Sequence, residues 1–214
     1  LAGGAIVLSV LLGVPAGIVA AIYRGRWPDR LVGLGAASAL AMPNYFVAML
    51  LILFFAIWNP WFPATSFVPF SEGPGEWAKH LVLPWITLSL SPAAVITRQL
   101  RSSLIGVLGQ DYVRTARAKG LRGRTVILKH SLKNAAIPVV TVLGTQIAFA
   151  LGGSVIVEQV FGIAGVGQLA ITSVQKRDLP LIQGIVVMAT LLVLFCNLLV
   201  DLAYGFLNPK VRVR

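Results

Sequence analysis

The sequence predicts an all-α integral membrane fold, and three observations predict it. The 214-residue chain is 57% hydrophobic and 12% charged, against about 25% charged in an ordinary soluble domain, and its mean hydropathy is +0.85. Stretches free of Asp, Glu, Lys and Arg cover 1–23, 31–71, 80–97, 134–157, 159–175 and 179–200. A spanning helix needs roughly 20 apolar residues. Basic residues also alternate in density: fifteen lie in 24–30, 98–133 and 210–214, and only Lys79, Lys176 and Arg177 lie elsewhere. Lys and Arg collect on the cytoplasmic side of membrane proteins. The net charge of +11 therefore reports topology, and nucleic acid is excluded as a partner. A single cysteine, Cys196, leaves no intrachain disulfide.

Five transmembrane helices follow in order. Residues 1–23 make the first. The second runs over 31–58 and stops where Asn59, Pro60 and Pro63 begin a breaker-rich outer loop to 79. Asn44 after Pro43 predicts a break inside it. Freed backbone groups there face a passage or pack on a neighbour. The third covers 80–100 and the fourth 134–158. The stretch 159–178 contains Gly162, Gly165 and Gly167 and reads as an outer loop with a re-entrant or interfacial piece. The fifth covers 179–205, which puts the C-terminus in the cytoplasm. Trp58, Trp61, Trp77 and Trp85 surround the outer loop as an aromatic belt. Gly13 and Gly17 form a GxxxG helix-packing face. The chain begins at Leu1 inside an apolar run with no basic leader, so an earlier span is expected before it.

The loop 101–133 is the longest polar stretch. Asp111 is placed to cap a helix through Tyr112, Val113, Ala116 and Lys119 that ends at Gly120. After Leu121-Arg122-Gly123, a second helix carries Ile127, Leu128, Ser131, Leu132 and Ala135 on one face, with Arg124, Lys129 and Lys133 polar. Such a bracket either transmits force from a docked cytosolic partner or rests on anionic lipid. Gly120 is either a plain helix stop or a site of close partner approach.

The residues favour the first reading. Asp111-Tyr112-Val113-Arg114-Thr115-Ala116-Arg117-Ala118-Lys119-Gly120-Leu121, with His130 through Pro138, resembles the cytoplasmic coupling motif of ATP-binding-cassette importer permeases. More narrowly, it resembles the inner-membrane permease of bacterial dipeptide, oligopeptide and nickel-chelate uptake systems. Gly153 through Gly167, Arg177-Asp178-Leu179-Pro180, Asn197 through Tyr204 and Asn208-Pro209-Lys210-Val211-Arg212 extend the likeness over nearly the whole chain. Arg114-Thr115-Ala116 stands where the general motif has Glu-Ala-Ala. The resemblance implies that Asp111, Tyr112, Thr115, Ala116, Lys119, Gly120, Leu121 and Arg124 dock on a cytosolic ATPase. It implies a second homologous permease, two ATPase subunits or domains, an extracytoplasmic substrate-binding protein and membrane lipid as partners. ATP and Mg would be bound by the ATPase and no cofactor by this chain. The location implied is the bacterial inner membrane.

The residues rule against other classes. No GxxxxGK[ST] phosphate loop occurs, so ATP hydrolysis is assigned to a partner and the chain is not itself an enzyme. A stand-alone channel or secondary carrier is the alternative, but gradient-driven carriers place ionisable groups at mid-depth and these spans show none there. An intramembrane protease needs a nucleophile with its base or a metal pair; His80 and His130 lack metal-ligand spacing. Glu158, near the outer end of the fourth span, is a candidate for the cargo path or for pairing with a basic residue of a neighbour. Asn197 and Asp201, four apart, read as a polar clamp to another span.

Overall fold

The computed structural model describes residues 1–207, and it is all-α. The expected C-terminal signature from Asn208 lies outside the described residues. Helix α1 (Ala2–Ile22) is followed by α2 (Trp27–Ala41) and α3 (Asn44–Ile52), which continues as a π-helical turn, Leu53–Trp58. Then come α4 (Pro74–Leu108), α5 (Asp111–Ala118) and α6 (Gly123–Thr125). A π-helical turn (Val126–Ser131) leads through α7 (Leu132–Ala135) into α8 (Ile137–Phe161), α9 (Val166–Lys176) and α10 (Leu179–Leu207).

By length and composition, α1, α4 and the described part of α10 can each cross a membrane, and three bent pairs also qualify as broken spans or re-entrant loops. The expected single span 31–58 is one such pair, α2 and α3 with its π turn, meeting at 105°. Pro43 removes an amide donor there, so the helix cannot run through. The third span is longer than expected: α4 starts at Pro74 and ends at Leu108, taking residues from both flanking loops. The stretch 159–178, expected as an outer loop, is mostly α9, which meets Gly152–Phe161 of α8 at 89°.

Helix α4 is the centre of the packing, with α1, α2, α3 and α8 against it. Small residues on α1 permit the closest approach. Ala5, Ser9, Gly13, Gly17 and Ala21, each four apart, are all buried. A Cβ on Gly13 would stand 2.8 Å from the Ala93 carbonyl oxygen, and one on Gly17 would stand 3.0 Å from that of Thr97. Thr97 donates its hydroxyl to Ala93 O at 2.7 Å and to Gly13 O at 3.2 Å. Without a hydrophobic drive between helices in lipid, close backbone packing of this kind holds them together.

The two ends differ. At one end Leu81, Leu83, Val157, Phe161 and Ile163 form a cluster with Trp77 and Trp85 against it. Trp77 stacks edge-on with Phe70 and with Trp85. At the other, Ala21, Leu100, Leu104, Ala135 and Val139 pack together. There Arg101 forks onto buried Asp29, Nε to Oδ1 at 2.5 Å and Nη2 to Oδ2 at 2.7 Å. That bond puts the first basic turn and the end of α4 at the same end of the fold. The last helix runs antiparallel to α8, with Ile185 and Val155 lining one groove and Asn197 beside Gly144. Most of its large apolar side chains are exposed, as a lipid- or partner-facing helix requires.

Candidate functional site

The bracket at the basic end is built on a small apolar seat. Val113, Ala116 and Val126 are buried together, with Val107 and Leu108 of α4 packed against them. In α5, Val113 and Ala116 share the inner face, and Asp111, Tyr112, Arg114, Thr115, Arg117 and Lys119 are exposed. An eight-residue helix is too short to persist alone in water, so this seat determines which face α5 presents. The Tyr112 hydroxyl accepts the Asn134 amide at 2.9 Å, tying α5 to α7.

The turn after α5 is a Schellman motif. Gly120 has φ +76°. Its N–H donates to Arg117 O at 2.9 Å, and Leu121 N–H donates to Ala116 O at 3.3 Å. This pair of bonds satisfies carbonyls left open at a helix end and favours glycine at the left-handed position. A Cβ at Gly120 would meet nothing within 4 Å. The glycine is thus required by backbone angle, and the space outside it is open.

Two expectations for the bracket are corrected. Asp111 does not cap α5: Gln110 is the N-cap residue, and Asp111 is the first helical residue with its carboxylate 3.6 Å from Arg114. The second helix buries only part of the expected face, and Leu132 is half-buried. Val126, Ser131 and Ala135 are buried, Ile127 is half-buried and Leu128 is 46% exposed. Leu128 lies inside the π turn, whose wider coil departs from the 3.6-residue period. The Ser131 hydroxyl donates to Val126 O at 3.0 Å, five residues back. Of the expected docking residues, Ala116 faces the seat, while Gly120, Leu121 and Arg124 are exposed with α5's polar face.

Asn44 opens α3 just after the break and lines a cavity of about 510 Å³ between α3, α4 and α8. Glu158 is elsewhere. Its carboxylate is buried, and Oε2 accepts the Gln168 amide at 3.0 Å. Gln168 is the third residue of α9, whose N-cap, Gly165, has no side-chain oxygen to offer. Glu158 therefore caps α9 from the preceding helix, and an anion is favoured at that positive end. A Cβ on Gly165 would overlap the carboxylate, and one on Gly167 would stand 2.9 Å from Oε2. Among the described residues, the partner of Glu158 is thus a helix N-terminus. Asn197 packs over Gly144, and a Cβ there would stand 2.9 Å from Asn197 Oδ1. Asp201 lines the same groove as Asn197.

Sequence reasoning missed the Asp29–Arg101 bond, because no periodic pattern links residues so far apart. It also missed the purpose of Gly165 and Gly167. The available signal was a Gly-x-Gly opening a helix that has no Ser, Thr, Asp or Asn to cap it.

The family model for binding-protein-dependent transport system inner membrane components matches residues 13–213. The chain is 44% identical over 208 residues to the glutathione transport system permease protein GsiC of Escherichia coli strain K12. It is 43% identical to the protein of that name in Shigella flexneri serotype 5b. Each alignment takes in 97% of this chain and 65% of the relative, so the chain spans just under two-thirds of the relatives' length. In structure it superposes on a chain of the MetNI methionine ABC transporter in an inward-facing conformation with a TM-score of 0.75. That match covers 95% of this chain and 89% of the other at 16% identity, which is a likeness of fold.

Proposed function

This chain belongs to the family of binding-protein-dependent transport system inner membrane components, and we propose that it forms part of the membrane path of an ATP-driven importer of di- or oligopeptides. The observation that carries the proposal is the α5 bracket. It holds a polar face outward on an apolar seat continuous with α4, the helix on which the bundle packs. A push on that face reaches the bundle through contacts that already exist. Asp111, Tyr112, Thr115, Lys119, Gly120, Leu121 and Arg124 form the docking face for a cytosolic ATPase, and Ala116 seats it. The ATPase binds ATP and Mg and does the hydrolysis; this chain has no catalytic role. A second homologous permease completes the path, and an extracytoplasmic binding protein delivers cargo to the aromatic end. The basic end faces the cytoplasm of a bacterial inner membrane, in keeping with the charge asymmetry. A peptide cargo agrees with the glutathione named for the relatives.

The test is Gly120→Trp in the assembled complex, reconstituted in vesicles with its binding protein. A Cβ at Gly120 meets nothing within 4 Å, so the indole enters the open space on the docking face. Uptake of labelled peptide is expected to fall at least about tenfold, beyond the backbone strain of about 1 kcal/mol that any side chain incurs at this φ. Gly120→Ala, which carries the strain alone, keeps most uptake. Normal transport by the Trp variant, or uptake by this chain without ATP, refutes the proposal.

A further inference from the structure

The cavity at the α2–α3 break has a chemistry that the coupling role does not use. Asn44 enters it from the first residue of α3, Ser91 from the middle of α4 and Gln146 from α8. Asn44 and Ser91 each lie near the midpoint of their span, at the depth where charge and unpaired polarity are most costly. All three side chains are half-buried. None of them hydrogen-bonds to another described group. An amide left unpaired in hydrocarbon is costly, so these three side chains call for a polar partner. Pro92 also lines the cavity and has no N–H, so the Leu88 carbonyl beside it has no donor one turn on in α4.

Among the described residues, no Asp, Glu, Lys, Arg or His lines the cavity. Two carboxamides offer both donors and acceptors, and a hydroxyl serves as either. A peptide unit needs one acceptor for its N–H and one donor for its C=O. A charged terminus or side chain needs a counter-charge, which this site lacks. We infer that Asn44, Ser91 and Gln146 form a charge-neutral station that hydrogen-bonds the backbone amides of a peptide in transit and leaves its side-chain charge unread. The inference rests on the transport reading above and adds what the path recognises. Selection by charge, where the complex shows it, then comes from another subunit.

Isosteric charge insertion tests this. In the reconstituted complex with its binding protein, uptake of Ala-Lys-Ala and Ala-Glu-Ala is compared for the wild type, Asn44→Asp and Gln146→Glu. Each acidic variant is expected to shift the ratio towards the lysine peptide by about tenfold, since the new carboxylate repels the glutamate peptide and attracts the lysine one. Gln146→Leu is expected to slow both peptides alike while binding-protein-stimulated ATP hydrolysis persists. As a check that needs no transport, Ser91→Cys in a Cys196→Ala chain is expected to react with a water-soluble cationic thiol reagent. An unchanged ratio in both acidic variants of an importing complex overturns the station, as does a thiol in the Ser91→Cys variant that only lipid-soluble reagents reach. Failure of the wild type to import either peptide with ATP is a different result, and overturns the transport reading together with the station.

Discussion

Glu158 offers the sharpest perturbation, because its carboxylate joins two helices at a corner where backbone geometry leaves little slack. Glu158→Ala removes the acceptor of the Gln168 amide. A charge-assisted hydrogen bond is worth about 1.5–3 kcal/mol, and an anion at a partly buried helix N-terminus adds up to about 2 kcal/mol. Removing a buried charge also recovers some desolvation, so the net loss is about 2–3 kcal/mol. Glu158→Gln keeps an acceptor of the same shape and loses only the charge, about 1 kcal/mol. Hydrogen exchange of the α9 amides in detergent reads this directly. A local loss of about 2 kcal/mol speeds exchange at Gln168 by roughly thirtyfold, and Glu158→Gln gives a few-fold effect. Gly165→Ala, whose methyl would overlap the carboxylate, is expected to be harmful alone and milder with Glu158→Ala. Unchanged exchange in Glu158→Ala, or equal damage from Ala and Gln, would falsify the capping role. In uptake assays Glu158→Gln is expected to cost less than Gly120→Trp; a larger loss returns Glu158 to the cargo path.

Other substitutions follow from the same contacts. Gly13→Ala puts a methyl 2.8 Å from the Ala93 carbonyl oxygen; overpacking of about 1–3 kcal/mol outweighs the roughly 0.5–1 kcal/mol of helix propensity gained. Gly3→Ala, with nothing within 4 Å, gains the propensity alone, so detergent melting temperatures should move in opposite directions; parallel shifts would contradict the α1–α4 approach. Arg101→Ala strands a buried carboxylate, and with the Gly25 amide still bonded to Asp29 at 2.8 Å the expected loss is about 2–3 kcal/mol. Asp29→Asn leaves Arg101, whose side chain is 36% exposed, free to reach water and is expected to destabilise less. Melting curves for the two variants that coincide would remove the case for the pair as a fastening.

The Asp29–Arg101 bond bears on coupling as well as stability. It fastens the α1–α2 turn to α4 less than three turns before the helix reaches the α5 seat. The bond ties α4, which carries the α5 seat, to α2, and α2 leads to the break at Asn44. The proposed docking face and the polar cavity are joined by packed helices and one buried fork of hydrogen bonds.

Much of this protein was legible in its residue order. The apolar runs marked α1 and α10, the Gly13–Gly17 spacing marked a close helix contact, Pro43 marked a broken span and Gly120 marked the end of α5. Each depends on local physics: the length of hydrocarbon to be crossed, a missing Cβ, a missing N–H, a backbone angle. Local rules failed where a choice depended on distant residues. Asp111 had the chemistry of a cap, yet Gln110 takes the position; Leu128 had the right spacing for burial, yet the π turn rotates it outward. Nothing near Glu158 in sequence specified that its carboxylate would occupy the space left by two glycines of the following helix, nor that Asp29 would meet Arg101. Sequence alone determined which segments must leave water and where helices must stop. Tertiary packing decided which polar groups are paired, because a hydrogen bond or ion pair depends on distance in space, and a period of 3.6 residues says nothing about that between segments far apart in the chain.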